Sequence, residues 1–297
     1  MDMIKNLINS KLQKFPIEGF DIHIIKKYEE LSGEDESFKA QNLAVLLIKS
    51  GNFKLKIEDV IQELSVRDLI IIPKDSDCHV IEVLGKLHLY LITFSSDFAV
   101  KNCLRKELVD SFYFFIRKEP MKASLDENEY SVLSLIYRLI YYINLDSKKE
   151  GYESELHRIS LNLFIYELKL IYNKYASNSI PNFTRKENIV MQFLTILSIH
   201  YKKHHHVQFY AGALFITPIY LNRVVKEVTG KSVKLLIIEA IISEAKILLE
   251  DGQISLAEIA EEMEFASASI FGIFFKKHTS LSPSDYRTSF FEKSRGH

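Results

Sequence analysis

Eight polar side chains near the C-terminus are of types suited to holding a polyanion: Thr217, Tyr220, Asn222, Arg223 and Lys226 in one short segment, Ser267, Ser269 and Lys276 in another. Lysine and arginine neutralise phosphate, arginine and asparagine can bond base edges in pairs, and hydroxyls serve either purpose. The two segments are copies of one pattern. Ala211, Leu221, Lys226, Thr229 and Ser232 recur as Ala260, Phe271, Lys276, Thr279 and Ser282, at an offset of 49 residues before the turn and 50 after it.

The elements that must position these side chains follow from local signals. Val207 to Leu214 reads as a leading helix, Phe215 and Ile216 as a break, and Thr217-Pro218 as the N-cap and first turn of a second helix that stops at Gly230. That helix puts Tyr220, Leu221, Val224 and Val225 on one face and leaves Asn222, Arg223 and Lys226 to the other. The second copy opens with a capping box at Ser255 and Glu258, breaks at Met263-Glu264-Phe265, and continues to His278 with Ser267 or Ser269 as its cap. Each copy fits a helix-turn-helix, which lays its second helix in the major groove of DNA.

The stretches VQFYAGALFITPIYLNRVVKEVTGKS at 207–232 and SLAEIAEEMEFASASIFGIFFKKHTSLSPSDYR at 255–287 resemble the AraC/XylS transcription regulators. The segment RDLIIIPKDSDCHVIEVLGKLHLYLITFSSDF, at 67–98, resembles the cupin-like sensor domain that precedes the DNA reader in many of them. The resemblance implies an α+β chain of two domains. Residues 1–176 would form a cupin-like β-barrel, with strands over about 38–98 and helices over about 98–175 for linking and dimerisation. A linker would occupy 177–186. Residues 187–291 would form an all-α, homeodomain-like double helix-turn-helix, with units at about 207–229 and 255–278 joined by a helix at 232–251. The partners implied are promoter DNA, a small-molecule effector, RNA polymerase and a second copy of the chain. Thr217, Tyr220, Asn222, Arg223, Lys226, Ser267, Ser269 and Lys276 are the expected DNA contacts, the first copy carrying most of the binding.

Several positions depart from the family pattern. Ile219, Ile238, Ile247 and Ile273 stand where relatives usually carry a basic residue, Glu264 and Ser280 where they carry glycine. Glu264 requires either a negative φ or a strained backbone. From Glu187 to His297 nine Lys and three Arg meet ten Glu and two Asp, so this region has no net charge. Phosphate neutralisation supplies most non-specific DNA affinity, so neutrality predicts weak binding with a shallow salt dependence, unless Lys202, Lys203, Arg223, Lys226, Lys231, Lys234, Lys276 and Lys277 cluster on one side. It also leaves room for a relative that has lost DNA binding and acts through protein contacts.

The 297 residues suggest two domains, and 47% hydrophobic with 26% charged content suits a globular chain. Only Cys78 and Cys103 occur, and neither a signal segment nor a membrane-length apolar run is visible, which predicts a cytoplasmic protein with reduced thiols and no membrane partner. In the first half, short apolar runs read as strands: Ala44 to Lys49, a turn at Gly51-Asn52, Phe53 to Ile57, Asp59 to Glu63, Asp68 to Ile72, Val80 to Val83 and Leu87 to Phe94. His79 and His88 lack the His-x-His partner of a metal-dependent cupin, and adjacent His204, His205 and His206 point in different directions on a helix. No metal, cofactor or catalytic set is expected, and the chain reads as a regulator and not an enzyme. Helices over Phe98 to Phe115, Asp126 to Leu145 and Tyr152 to Tyr175 follow; Tyr130, Leu133, Ile136, Tyr137, Ile140 and Tyr141 stripe the second, and Leu156, Ile159, Leu163, Tyr166 and Leu170 the third. Each stripe serves either as core or as a seam between subunits.

Overall fold

A computed structural model describes residues 4–9, 12, 19–28, 37–95, 98, 119–145, 153–175 and 184–295. The chain divides into two compact units, and the described part of the second starts at Thr184. The first contains an antiparallel sheet of β1 (Phe20–Tyr28), β2 (Ser37–Lys39), β3 (Leu43–Ile57), β4 (Val60–Leu64), β5 (Asp68–Ile72), β6 (Asp77–Phe94) and β7 (Met121–Ser124). The strand order is β1-β6-β3-β5-β7, with β2 also on β6 and β4 also on β3.

Two strands organise this sheet, and the sequence breaks them in the wrong places. Gly51-Asn52 is not a turn: β3 runs through it, with the register against β6 shifting between Ile48 and Asn52. Likewise Val80 to Val83 and Leu87 to Phe94 belong to one strand, β6, which passes through Gly85. A bulge changes which residue parity faces inward. Ala44, Leu46 and Ile48 before the bulge therefore share one apolar cluster with Phe53, Leu55 and Ile57 after it. On β6 the same cluster takes Cys78 and Val80 from one half and Leu87, Leu89 and Leu91 from the other. Gly51, at φ 81°, is required here: a Cβ would come 2.9 Å from the Leu87 Cα.

The opposite face, with Val45, Leu47, Tyr90, Ile92 and Phe94, is covered by α2 (Glu127–Leu145) and α3 (Glu153–Tyr175), while the short α1 (Ile4–Ile8) places Ile4 and Ile8 in the first cluster. Leu133, Ile136, Tyr137 and Ile140 of α2 are core. On α3 the chosen face differs from the expected stripe. Leu161, Phe164, Leu168, Ile171 and Tyr172 are buried in this core, whereas Leu156, Ile159, Leu163, Tyr166 and Leu170 are exposed. The helix is apolar on two sides, and the sheet takes the one bearing Phe164 and Tyr172. The expected helix from Phe98 to Phe115 lies, beyond Phe98, outside the described residues, as does Cys103.

Tyr137 joins the layers: its hydroxyl donates to the Val45 carbonyl at 3.0 Å, and its ring meets Tyr90 at 5.4 Å and Phe164 edge-on at 5.2 Å. Burial drives its phenol pKa well up, so it stays a donor. Tyr137→Phe keeps the packing and loses the bond, and we expect the free energy of unfolding in urea to fall by about 1 to 2 kcal/mol.

Candidate nucleic-acid interface

The second unit consists of α4 (Arg185–His200), α5 (Val207–Ala213), α6 (Pro218–Thr229), α7 (Val233–Glu250), α8 (Leu256–Glu262), α9 (Ala268–Thr279) and α10 (Pro283–Arg295). The repeat in the sequence is a repeat in hydrogen bonding. Thr217 Oγ1 accepts from the Tyr220 amide and Ser267 Oγ from the Ile270 amide, each at 3.2 Å, so Ser267 and not Ser269 caps α9. Entering each turn, Phe215 and Glu264 share a left-handed φ of 55°, and the next amide closes on Ala211 O at 3.0 Å or Ala260 O at 2.8 Å. Leaving each helix, Gly230 and Ser280 are left-handed at φ 76° and 68°, while Thr229 and Thr279 each donate back one turn at 2.8 Å. Glu264 thus adopts the strained alternative, and Phe215, which carried no signal, adopts the same one.

Apolar contacts fix the inward faces. Leu221, Val224 and Val225 of α6 and Phe271 and Phe275 of α9 are wholly buried. The helical period then assigns the outermost ridge of each second helix, Ile219, Arg223 and Lys226 on α6 and Ser269, Ile273 and Lys276 on α9. All six are exposed. The Arg223 guanidinium lies 5.1 Å from the centre of the half-buried Tyr220 ring, which orients it along the helix. Ile219 and Ile273 are 84% and 71% exposed, Ile247 is partly exposed and Ile238 half-buried.

Three polar residues have internal duties. Asn222 is expected on the contact face, but it is half-buried and its Oδ1 accepts from the Val233 amide at 3.1 Å, tying α6 to the start of α7. Lys231 sits on Glu239 at 2.7 Å. Lys202 bridges Glu244 on α7 and Glu262 on α8, both at 2.6 Å. Burial pulls the Lys202 ammonium down and the two carboxylates more than reverse it, leaving its pKa above the ordinary lysine value. Lys202 and Lys231 are therefore withdrawn from any phosphate-facing cluster. Lys203, Arg223, Lys226, Lys234, Lys276 and Lys277 are exposed and make no ion pair among the described residues.

The remaining polar contacts hold the scaffold. Arg287 donates to the carbonyls of Leu249 at 3.1 Å and Ile254 at 2.6 Å, and Tyr286 to Glu250 at 2.8 Å, closing the C-terminal end of α7. The three adjacent histidines serve separate surroundings. His204 stacks on Phe209 at 3.6 Å, His205 packs on Phe265 at 4.9 Å with its pKa lowered by burial, and His206 leads into α5. Among the described residues no three metal-ligating side chains converge, and no helix is long and apolar enough to cross a membrane.

Comparison with known proteins bears on the same region. The family model for a helix-turn-helix domain matches residues 210–289. Over 289 residues the chain is 24% identical to the Msm operon regulatory protein of Streptococcus mutans, covering 95% of this chain and 98% of that protein. Among solved structures, ToxT from Vibrio cholerae aligns at 19% identity over 91% of this chain and 98% of its own, with a TM-score of 0.35. The C-terminal domain of AraT, a response regulator from Geobacillus stearothermophilus, aligns at 27% identity over 36% of this chain and 88% of its own, with a TM-score of 0.33.

The internal duty of Asn222 separates two substitutions. Asn222→Asp retains an acceptor for the Val233 amide and should leave the urea midpoint nearly unchanged. Asn222→Leu strands that amide, and chemical denaturation should then register a loss of about 1 to 2 kcal/mol.

Proposed function

With an AraC-type helix-turn-helix domain at its C-terminus, we infer that the chain is a transcription regulator that binds double-stranded DNA through α6 and α9 under the control of a small molecule held by its N-terminal unit. The observation that carries this reading is the pair of outward ridges, built on matching caps and turns, whose cations are of the types that bond base edges and phosphates when a helix enters the major groove. In this assignment Arg223 reads a base edge and Lys226 and Lys276 hold phosphates. Thr217, Ser267 and Ser269 offer hydroxyls at the helix starts, and Tyr220 supports Arg223. Asn222 acts from behind, as the residue that positions α6. The relative from Streptococcus mutans, alike over nearly its whole length, carries the name of an operon regulator, which agrees with this role. No catalytic step or cofactor is assigned, and the proposed location is the cytoplasm.

The effector site we favour is an open cleft of about 630 Å³ in the first unit, lined by Ser37, Phe38, Lys56, Glu58, Asp77, Cys78 and His79. Its lining combines Phe38 and Cys78, which belong to the apolar cluster beneath, with the charged or polar side chains of Lys56, Glu58, Asp77 and His79. Binding there would shift the populations of two arrangements that differ in how well α6 and α9 reach DNA together.

A homodimer belongs to the same proposal. Leu156, Ile159, Leu163, Tyr166 and Leu170 on α3 alternate spacings of three and four, the pattern of a left-handed coiled-coil seam, and are exposed by 38% to 64%. On α2, Val132, Leu135, Leu139 and Tyr142 repeat that spacing and are also exposed. A second copy would cover these faces and place two readers on paired half-sites. RNA polymerase is the further partner in this reading, with Phe215, 96% exposed in the first turn, as an apolar anchor for it. The exposed Ile219 and Ile273 in a region, 187–297, without net charge favour one other reading, a protein-binding relative without DNA affinity. An electrophoretic shift on the DNA upstream of its own gene, run at low salt, decides between the two.

In that assay Arg223→Ala should cost roughly 1 to 3 kcal/mol and relax specificity at the base it reads, whereas Lys276→Ala should weaken binding evenly across sequences and lower the salt slope by about 1. Equal losses in both respects would contradict the assigned roles. Leu163→Lys should turn the dimer into a monomer in sedimentation at micromolar concentration with the thermal midpoint of the isolated protomer preserved, because Leu163 contributes nothing to the core.

A further inference from the structure

The two ridges carry the same design with the apolar position moved. At an offset of 50 residues, Ile219 corresponds to Ser269, Arg223 to Ile273 and Lys226 to Lys276. Each ridge therefore has one isoleucine, one polar or charged partner and one terminal lysine, and each isoleucine is exposed well beyond its neighbours in the helix core. Neither isoleucine is needed for folding, since Leu221, Val224, Val225, Phe271 and Phe275 already fill the inward faces. Both stand beside cations that make no ion pair among the described residues: Arg223 and Lys226 on α6, Lys276 and Lys277 on α9. An isolated apolar side chain within such a strip suits a surface that is polyanionic at its edges and has apolar points on its floor. The major groove is that surface, and its apolar points are the C5 methyl groups of thymine.

We propose that Ile219 and Ile273 are specificity-determining residues, each packing its branched side chain against a thymine methyl in the major groove. The proposal rests on the DNA-binding reading above and adds what the two helices recognise. The α6 half-site then combines a thymine, under Ile219, with the base read by Arg223 one helical turn further along. The α9 half-site depends on thymine, because Ile273 occupies the place that an arginine fills in α6. Methyl contacts release no counterions, so they add affinity without steepening the salt dependence, which fits a region, 187–297, whose cations and acids are equal in number.

The full chain is first used to select duplexes from a random library. In the selected site each thymine is then replaced singly by deoxyuridine, which removes the methyl and preserves pairing, and affinity is read by fluorescence anisotropy. One thymine in each half-site should lose about three- to tenfold on replacement. Ile219→Ala should abolish that sensitivity in one half-site and Ile273→Ala in the other, with thermal midpoints unchanged, and Ile273→Val should keep it. Selected duplexes that tolerate deoxyuridine everywhere, or sensitivity that persists in both alanine variants, overturn the proposal while leaving DNA binding intact. Failure to select any duplex overturns the DNA-binding reading, and the proposal with it; binding of RNA polymerase that is lost in the same variants would then reassign the two isoleucines to a protein contact.

Discussion

The posture of each recognition helix depends on one backbone constraint, the left-handed residue that opens the turn before it. At Phe215 and at Glu264 the chain reverses within a single residue, and the amide that follows bonds to an alanine of the leading helix. Neither residue is glycine, so each turn stores strain of about 1 to 2 kcal/mol that the packing around it must offset. Ala211 and Ala260 make this affordable in space: both are small and buried at the crossing, where a larger side chain would push the second helix outward. Once the turn is set, the hydroxyl caps at Thr217 and Ser267 fix where the helix begins, and hence which side chains form its outer ridge.

A second layer of constraint sets the two readers against a common frame. Asn222 ties the first recognition helix to the start of α7, Arg287 and Tyr286 tie α10 to its end, and Lys202 bridges its middle to α8. These contacts consume charges that a count of lysines would assign to DNA. The Lys202 pairs are shielded, its side chain being 32% exposed, so removing one carboxylate would leave a partly buried charge unbalanced. Neutral composition and local basic ridges are thus compatible: Glu239, Glu244 and Glu262 pair within the frame, while Arg223, Lys226 and Lys276 face outward.

The duplicated unit was legible because its signals are local. Ser or Thr caps, a capping box, proline at a helix start and buried residues at helical spacing all act within a few positions of the residues they describe. What the sequence concealed depends on distant partners. Asn222 carries the same side chain whether it faces a base or the Val233 amide, and only the fold brings that amide to it. Gly51 and Gly85 look like turn residues, yet two long paired strands make them bulge points, since turning there would break the inward parity of Phe53 and Leu87. On α3 two apolar stripes compete for one sheet, and periodicity assigns a face no partner. Of the eight candidate contact residues, the ridge positions of Arg223, Lys226, Ser269 and Lys276 followed from helix geometry; the internal duty of Asn222 did not, nor did the strain at Phe215, outside that set.

The frame also decides what sort of recognition this unit can support. A reader rich in free cations gains affinity from every phosphate and must obtain discrimination from a few base contacts laid over a large non-specific background. Here Lys202 and Lys231 are internally spent, which lowers that background. The fewer phosphates a reader neutralises, the larger the share of the binding energy that falls to a single good base-edge contact, such as the one proposed for Arg223. Under the proposed methyl contacts, Ile219 and Ile273 extend this logic, because an apolar contribution survives at salt concentrations that screen lysine. The two modules need not contribute equally, since α6 keeps an arginine where α9 has isoleucine. Such asymmetry gives a tandem reader an orientation on DNA, because reversing the duplex would set the arginine helix on the half-site suited to the other.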